Sequence, residues 1–212
     1  MENNWLTIKG YGYNLALKEI EEISLTECSK EAVGEITIPD NVTYIEDGAF
    51  EGCSGITSIH IPRSVVKIGG DTGCGAFGGC NNLESIVVDE GNAVFDSRNK
   101  CNAIIETATN TLIAGCKNTI IPNDIGGIGE CAFRGCTKLI SINIPDSVTW
   151  IGCSAFLGCT NLASIVIPNN VTKIYEEAFS GCTSLTSVIL PDNAVDIDED
   201  AFKNCPALEI QK

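Results

Sequence analysis

The sequence predicts a mostly β repeat solenoid, in which short turns of chain stack on one another. Six of the seven prolines occupy one slot of a recurring segment, and four of the five gaps between them are 23 residues long. A fixed period of this size is typical of stacked repeats, because one repeat cannot bury its apolar face alone. The prolines of this slot are Pro39, Pro62, Pro122, Pro145, Pro168 and Pro191.

The recurring segment has the consensus A-F-x-G-C-x-x-L-x-S-I-x-I-P-x-x-V-x-x-I-x-x-x. A copy without the A-F-x-G-C start runs from Ile36 to Ile45, and the last copy stops halfway. Together the copies predict about seven turns whose apolar residues form one continuous column. The A-F-x-G-C starts lie at Ala49, Ala76, Ala132, Ala155, Ala178 and Ala201.

The L-x-S-I-x-I part of each repeat predicts a strand with one buried face, because it ends in strict alternation. In the copy at Ala132, we expect Leu139, Ile142 and Ile144 to point inward, and Ser141 and Asn143 to point outward. The proline that follows ends the strand, since it has no N–H to donate to the ladder.

The rest of the repeat predicts a second short strand and a tight turn. The V-x-x-I segment, such as 148–151, favours a short extended run. The A-F-x-G-C segment favours a tight helical or 3₁₀ turn, and its glycine, such as Gly135, closes the turn where a Cβ would be unfavourable.

Two insertions interrupt the period between the copies at Ala76 and Ala132. The first is the short segment Gly70–Gly73, and the second spans about residues 89–118. In the second, Ala103–Glu106 and Thr111–Ala114 predict a β-hairpin around the turn 107–110. Phe95 is expected to be a core ring, and a partner contact at the hairpin is the alternative to a purely structural role.

Residues 1–33 do not fit the repeat and are predicted to cap the N-terminal end of a solenoid formed by residues 34–212. Trp5, Leu6 and Ile8 indicate a strand, and Asn14 to Ser24 a short helix. One elongated domain and its cap therefore account for the whole chain.

The in-phase A-F-x-G-C, I-P and V-x-x-I motifs resemble the BspA-like leucine-rich repeat family, over about residues 34–212. The resemblance implies a right-handed curved solenoid with a parallel sheet on its concave face. It also implies a role in recognition or adhesion at the cell surface or outside the cell. Bacteria of mucosal surfaces and some protozoan parasites carry such proteins.

The formal net charge of −15 opposes sequence-independent binding to nucleic acid or to anionic membranes. It allows a basic partner, so an acidic inhibitor or decoy for a basic protein is the alternative function. No apolar run approaches the length of a membrane span. The first ten residues show no signal-peptide pattern, which favours the cytoplasm as the sequence stands, or the cell surface if a leader was removed.

Six of the twelve cysteines occupy the same consensus slot, which predicts a column of buried free thiols rather than a disulfide scaffold. In a secreted form, Cys131 with Cys136, or Cys74 with Cys80, are the pairs that could oxidise. Zinc is disfavoured because no C-x-x-C pair exists and there is one histidine. The slot holds Cys53, Cys80, Cys136, Cys159, Cys182 and Cys205.

The sequence favours a non-enzymatic scaffold without a cofactor or metal. Its single histidine, His60, lies two residues after Ser58 on the outward face of a strand, but the serine recurs in five copies as a consequence of the repeat. The acidic run Asp196–Asp200 lacks the ligand spacing of a calcium loop, which makes a solvated edge the better interpretation.

Two outward columns are the predicted contact surfaces for a protein partner, either a host surface or matrix protein or an intracellular protein. The first is the slot between the two isoleucines, which often carries apolar residues; good strand propensity is its alternative explanation. The second is the V-x-x-I column, where aromatic residues are candidate anchors. A second copy of the chain is also a possible partner. The first column reads Thr37, His60, Val87, Ile120, Asn143, Val166 and Ile189, and the second Tyr44, Lys67, Trp150, Lys173 and Asp196.

Overall fold

The computed structural model describes residues 5–10, 22–69, 75–192 and 195–211. Its chain forms a nearly helix-free β solenoid of about seven turns, as the period predicts. The insertion Gly70–Gly73 and Cys74 lie outside the described residues, as does most of the predicted N-terminal helix, residues 14–21.

Seventeen strands are present among the described residues, together with one 3₁₀ helix at Arg98–Lys100. The strands are β1 (Leu6–Gly10), β2 (Ile23–Cys28), β3 (Gly34–Thr37), β4 (Tyr44–Ile45), β5 (Ile56–Ile61), β6 (Lys67–Ile68), β7 (Ser85–Val88), β8 (Phe95–Asp96), β9 (Ala103–Glu106), β10 (Thr111–Gly115), β11 (Gly127–Ile128), β12 (Trp150–Ile151), β13 (Ser164–Val166), β14 (Lys173–Ile174), β15 (Ser187–Ile189), β16 (Asp196–Ile197) and β17 (Glu209–Gln211).

The S-I-x-I segments form two separate three-stranded parallel sheets, which we call the front sheets, in the orders β3-β5-β7 and β13-β15-β17. The strand predicted over Leu139 to Ile144 is wrong: this turn lies between the two front sheets and is irregular. Its burial still follows the prediction, with Leu139 and Ile144 buried, Ile142 half-buried and Asn143 exposed. The corresponding segment of the preceding turn, residues 119–121, is irregular too, so it offers no strand to pair with.

The V-x-x-I segments form the second set of strands, which we call the side ladder. It consists of the sheets β1-β2-β4-β6 and β8-β9-β10-β11-β12-β14-β16. Strands β1 and β2 pair antiparallel, and β2 then pairs parallel with β4. The predicted strand near Leu6 is therefore confirmed, whereas Ile23 and Ser24 belong to β2 rather than to the end of a helix. The division into a cap and a solenoid at residue 33 stays a prediction.

The A-F-x-G-C segments form the tight hydrogen-bonded turns that the sequence predicts. Each has amide-to-carbonyl bonds across three residues, for example Cys136 to Phe133, and Gly135 has a φ of +67° that suits glycine. The phenyl rings stack between turns, with centroids 4.9 Å apart for Phe133 and Phe156 and 5.0 Å for Phe156 and Phe179. This spacing shows that one repeat advances the stack by one strand width.

The consensus cysteines continue this stack as a ladder of thiols. The Cys159 Sγ donates to the carbonyl of Phe133 at 3.1 Å, and the Cys182 Sγ donates to that of Phe156 at 3.2 Å. Cys205 does the same to Phe179. The predicted burial of the column is confirmed for its members up to Cys182, while Cys205 at the end is half-buried. The redox state of the column stays a prediction.

The hairpin formed by β9 and β10 divides the core. Its predicted strand bounds are confirmed, except that β10 extends to Gly115, and Phe95 is buried as expected. Ile104 packs into the core of the N-terminal turns, which we call the first core, whereas its neighbour Ile105 packs into the core of the C-terminal turns, the second core. The prediction of one continuous apolar column is therefore wrong.

The turns on either side of the insertion nevertheless remain neighbours at the A-F-x-G-C edge. The Gly79 amide donates to the carbonyl of Arg134 at 3.0 Å, which is the contact that other consecutive turns make. The Gly115 amide donates to the carbonyl of Ala132, and the backbone of Gly115 lies against the ring of Phe133. The inserted hairpin therefore separates these turns at the faces of the front sheets and the side ladder, but not at the A-F-x-G-C turns. Its residue Gly115 fills the space beneath the Phe133 ring.

Candidate interaction surface

The outward residues of the front sheets form the first candidate surface, the front strip. His60 lies beside Val87 in the register of β5 and β7, and Val166 lies beside Ile189 in the register of β13 and β15. The exposed fractions are 44% for Val87, 57% for Val166 and 43% for Ile189, which is high for apolar side chains. Their predicted outward orientation is thus confirmed. The serines alongside follow the same register, with Ser164 beside Ser187.

The front strip is not continuous, in contrast to the flat strip that the sequence predicts. Ile120 is 72% exposed and Asn143 is exposed, but both lie in irregular turns between the two front sheets. The strip therefore has two parts, and each part has strand-paired residues at a fixed spacing. Thr37, at the N-terminal end, is paired beside His60.

His60 is paired with an acid rather than a serine. Its Nε2 lies 2.7 Å from the Oδ1 of Asp89, and both side chains are about one third exposed. Asp89 directly follows β7 and begins the large insertion. The histidine therefore ties the front sheet to the start of the inserted segment, a role that the sequence did not indicate.

The second candidate surface is a groove along the side ladder, the side groove, with a volume of about 540 Å³. Its main aromatic wall is Trp150, which lies beside Gly127 in the register of β11 and β12. A Cβ on Gly127 would come within 2.1 Å of the indole, so the indole packs on the bare backbone there. This contact explains the glycine-rich segment around residue 127, which supports a ring instead of a phosphate. The lining residues are Glu130, Thr149, Trp150, Gly152, Cys153, Thr172, Lys173 and Tyr175.

The second aromatic wall of the side groove is Tyr175, which the sequence analysis missed. Its ring centroid lies 6.4 Å from that of Trp150, and the two planes meet at 88°. Five turns have glycine or an acid after the isoleucine of V-x-x-I, whereas Tyr175 places a ring there. That departure from the repeat was the available signal, because a large residue in a slot that is usually small must project outward.

Charged groups flank these rings. The Lys173 ammonium lies 5.0 Å from the centroid of Tyr175 and also pairs with the carboxylate of Asp196. Further along the ladder, the Lys67 ammonium lies 4.6 Å from the centroid of Tyr44. The predicted anchors Tyr44 and Trp150 therefore share a column but lie in different sheets. Lys67 lies over the ring of Tyr44, and Lys173 lies beside Trp150 on the next strand.

The floor of the side groove carries a half-buried thiol in an acidic environment. Burial and then the negative charges of Glu130 and Glu176 raise the pKa of Cys153 above its ordinary value. Glu130, Cys153 and Glu176 occupy equivalent positions in three successive turns. The local potential at this floor is therefore negative.

Two kinds of site are absent from the part of the chain that the structure describes. It contains no cluster of three or more histidine, cysteine, aspartate or glutamate side chains able to hold a metal ion. In the same residues, we find no helix with the length and apolar character needed to span a bilayer.

The chain has the features of a leucine-rich repeat solenoid: stacked 23-residue turns, ladders of phenyl rings and thiols, and an exposed strip along the strands. The family model of the "BspA type Leucine rich repeat region" matches it in six copies, over residues 18–99 and 111–211. The chain belongs to this family, so the resemblance seen in the sequence is confirmed. Such repeats are typically scaffolds for protein interaction and not enzymes.

Solved structures of bacterial leucine-rich repeat proteins are similar to this chain. A leucine rich cell surface protein from Faecalibacterium prausnitzii is 30% identical, with a TM-score of 0.56, over 82% of this chain and 52% of that one. The leucine-rich repeat protein of T. pallidum is 24% identical, with a TM-score of 0.47, over 98% and 78%. One from Bacteroides ovatus is 26% identical, with a TM-score of 0.47, over 97% and 51%.

The chain spans about half the length of the Faecalibacterium protein that it matches. No curated protein is significantly similar to it in sequence.

Proposed function

We propose that this protein is a non-enzymatic recognition or adhesion scaffold that binds a protein partner through the C-terminal part of the front strip and the side groove. The observation that carries the proposal is the exposure of Val166 and Ile189 side by side on paired strands. Exposed apolar residues at a fixed spacing are typical of contact surfaces. The membership of the family supports the same class of function.

The test is capture of partners from an extract of surface and matrix proteins, followed by titration of the partner so identified. The double variant Val166→Glu with Trp150→Glu should weaken binding by about 30-fold or more, because each change places a charge in an apolar contact. The single variants will show whether the strip and the groove both contribute.

Val33→Glu is the matched control, since Val33 is 63% exposed and lies outside both surfaces. It should leave the affinity unchanged, and thermal melts should show that every variant, including Trp150→Glu, is fully folded at the temperature of the binding assay. Equal affinity of the parent chain and the double variant would rule out these surfaces.

A salt titration separates this proposal from the acidic decoy, which the net charge of −15 favours. Binding that depends on apolar contact should change little between low and moderate salt. Binding of a decoy to a basic protein should weaken steeply over the same range, because screening acts on every charge pair. The second result would replace the scaffold with the decoy.

We also propose that the protein acts at the cell surface, because the Faecalibacterium relative is described as a cell surface protein. Brief protease treatment of intact native cells should then release peptides of this chain. Their absence, together with recovery of the intact chain from the cytosolic fraction, would favour the cytoplasmic location that the sequence predicts.

A further inference from the structure

The side groove combines two rings at a right angle with a negatively charged floor. The indole of Trp150 packs on Gly127, and its edge contact with Tyr175 leaves an open corner between successive turns. Thr149 and Thr172 line the same corner and supply hydroxyl groups. An aromatic corner of this kind favours a flat or cationic group over an aliphatic one.

The charges at the groove are unbalanced in favour of the acids. Lys173 is the one cation among the lining residues, and its ammonium is occupied by Asp196 and by the Tyr175 ring. Glu130 and Glu176 are exposed and lie close enough to Cys153 for their charges to act on its thiol. An incoming cation would therefore gain from the two glutamates without displacing an existing ion pair.

The molecule itself already places cations on rings along this ladder. Lys67 lies over Tyr44, and Lys173 lies over Tyr175. Trp150 is the other ring of the groove, and neither of these two lysines is the partner of its indole. Its chemistry thus complements a positively charged side chain from another molecule.

We propose that the side groove binds an arginine side chain of a partner protein, with the guanidinium on Trp150 and in reach of Glu130. Arginine fits better than lysine because its planar guanidinium stacks on an indole and bonds a carboxylate with two parallel N–H groups. The volume of about 540 Å³ is ample for one such side chain with its flanking backbone. This inference rests on the proposed function and specifies the partner's chemistry.

The test uses N-acetylarginine amide as the probe and N-acetylcitrulline amide as its neutral isostere, at concentrations up to about 100 mM, with NMR of the Trp150 indole N–H as the readout. The arginine amide should bind about tenfold more tightly than the citrulline amide, because citrulline lacks the charge that the ring and carboxylates attract. Equal binding of the two, or no shift of the indole signal, would overturn the proposal.

Variants locate the probe. Glu130→Gln should weaken binding of the arginine amide about fivefold, since it removes one carboxylate of the site and keeps its shape. Glu31→Gln changes an exposed glutamate far from the groove in sequence and should have no effect. An equal loss in both variants would show nonspecific attraction by the net charge and would overturn the proposal.

The two proposals fail separately. If the arginine amide does not bind but a captured partner still depends on Val166, the scaffold stands and the arginine inference falls. If the amide binds with the expected dependence on Glu130 but binding of the captured partner does not depend on Val166 or Trp150, the groove is a site for cationic groups and the proposed interaction surface falls.

Discussion

The first and second cores have the same repeat but differ in regularity. In the second core, four rings from Phe133 to Phe202 stack in an unbroken series with centroid spacings of 4.9–5.2 Å. In the first core, the stacked rings are the pair Phe50 and Phe77, and the position of the preceding turn is occupied by Cys28. Regular stacking therefore belongs to the turns that follow the hairpin, where consecutive copies have no insertion.

The comparison teaches that the inserted hairpin separates two structural units. Adjacent residues of β9 face opposite cores, so the strand is a wall between them. In a solenoid, each turn contacts its immediate neighbours, and a wall of this kind can limit how far a perturbation spreads. The predictions below test this separation, beginning with the largest effect.

Alkaline pH should destabilise the second core through its buried thiols. Burial first raises the pKa of Cys136 and of Cys182 to about 12, and it raises that of Cys159 as well. An unfolded thiol titrates near 8.5, so the neutral thiols contribute full stability below that pH and lose it as the pH rises. Each thiol costs about 1.4 kcal/mol per pH unit above the unfolded pKa. Urea unfolding from pH 7.5 to 10 measures the slope.

The Cys182→Ala variant tests this assignment. It should reduce the slope of unfolding free energy against pH by about 1.4 kcal/mol per pH unit, which corresponds to one proton. Leu185→Ala in the same turn is the control, and it should lower stability at every pH without changing the slope. A slope that Cys182→Ala leaves unchanged would contradict the assignment of the effect to the thiol ladder.

Truncating a ring should cost more in the second core than in the first. Phe156 is fully buried and stacks on rings on both sides, whereas Phe50 is equally buried and stacks on Phe77. We expect Phe156→Ala to lower the free energy of unfolding by about 5 kcal/mol and Phe50→Ala by about 3 kcal/mol. Urea unfolding at neutral pH gives both values. The reverse order would show that ring stacking does not distinguish the two cores.

Two neighbouring substitutions in β9 should act on different cores. Ile104→Ala and Ile105→Ala each remove a fully buried side chain, at a cost of about 2–4 kcal/mol. Hydrogen exchange followed by mass spectrometry should show faster exchange in the turns before the hairpin for the first variant. The second variant should accelerate exchange in the turns after it. Identical exchange profiles would mean that the hairpin is no barrier.

A methyl group at two glycines should distinguish a fixed ring from a movable one. A Cβ on Gly115 would come within 2.2 Å of the buried Phe133 ring, and one on Gly127 within 2.1 Å of the half-buried Trp150. Gly115→Ala should cost about 2 kcal/mol, because the buried ring cannot move away. Gly127→Ala should cost under about 1 kcal/mol and shift the fluorescence of Trp150, since that side chain can swing outward. Equal costs would indicate that both rings are fixed.

Much of the fold follows from the sequence because the repeat constrains it. Alternation predicts that Ile144 is buried and Val166 exposed, and the consensus predicts the burial of Cys159 in its column. The hairpin strands follow from local pattern alone. These features depend on neighbours in the chain or on neighbours one period away, and both can be read from the sequence.

The features that escaped prediction depend on how the insertion enters the stack. The loss of the strand near Ile142 arises from the irregular turn beneath it, which the repeat itself does not reveal. The two-sided burial of β9 had one sign in the sequence, the continuous apolar run Ala103-Ile104-Ile105, which is typical of a strand covered on both faces. For the side groove, Trp150 and Lys173 were predicted, whereas Tyr175 and Glu130 come from slots that the consensus leaves variable.

The thiol ladder makes the transient separation of adjacent turns detectable by chemical labelling. Alkylating reagents attack thiolate, and a covered, protonated sulfur such as that of Cys159 offers neither access nor charge until its turn separates from the next. A brief pulse of reagent would therefore tag the sulfurs of turns that had come apart during the pulse. Peptide mapping of those tags would show which turns of the solenoid open locally.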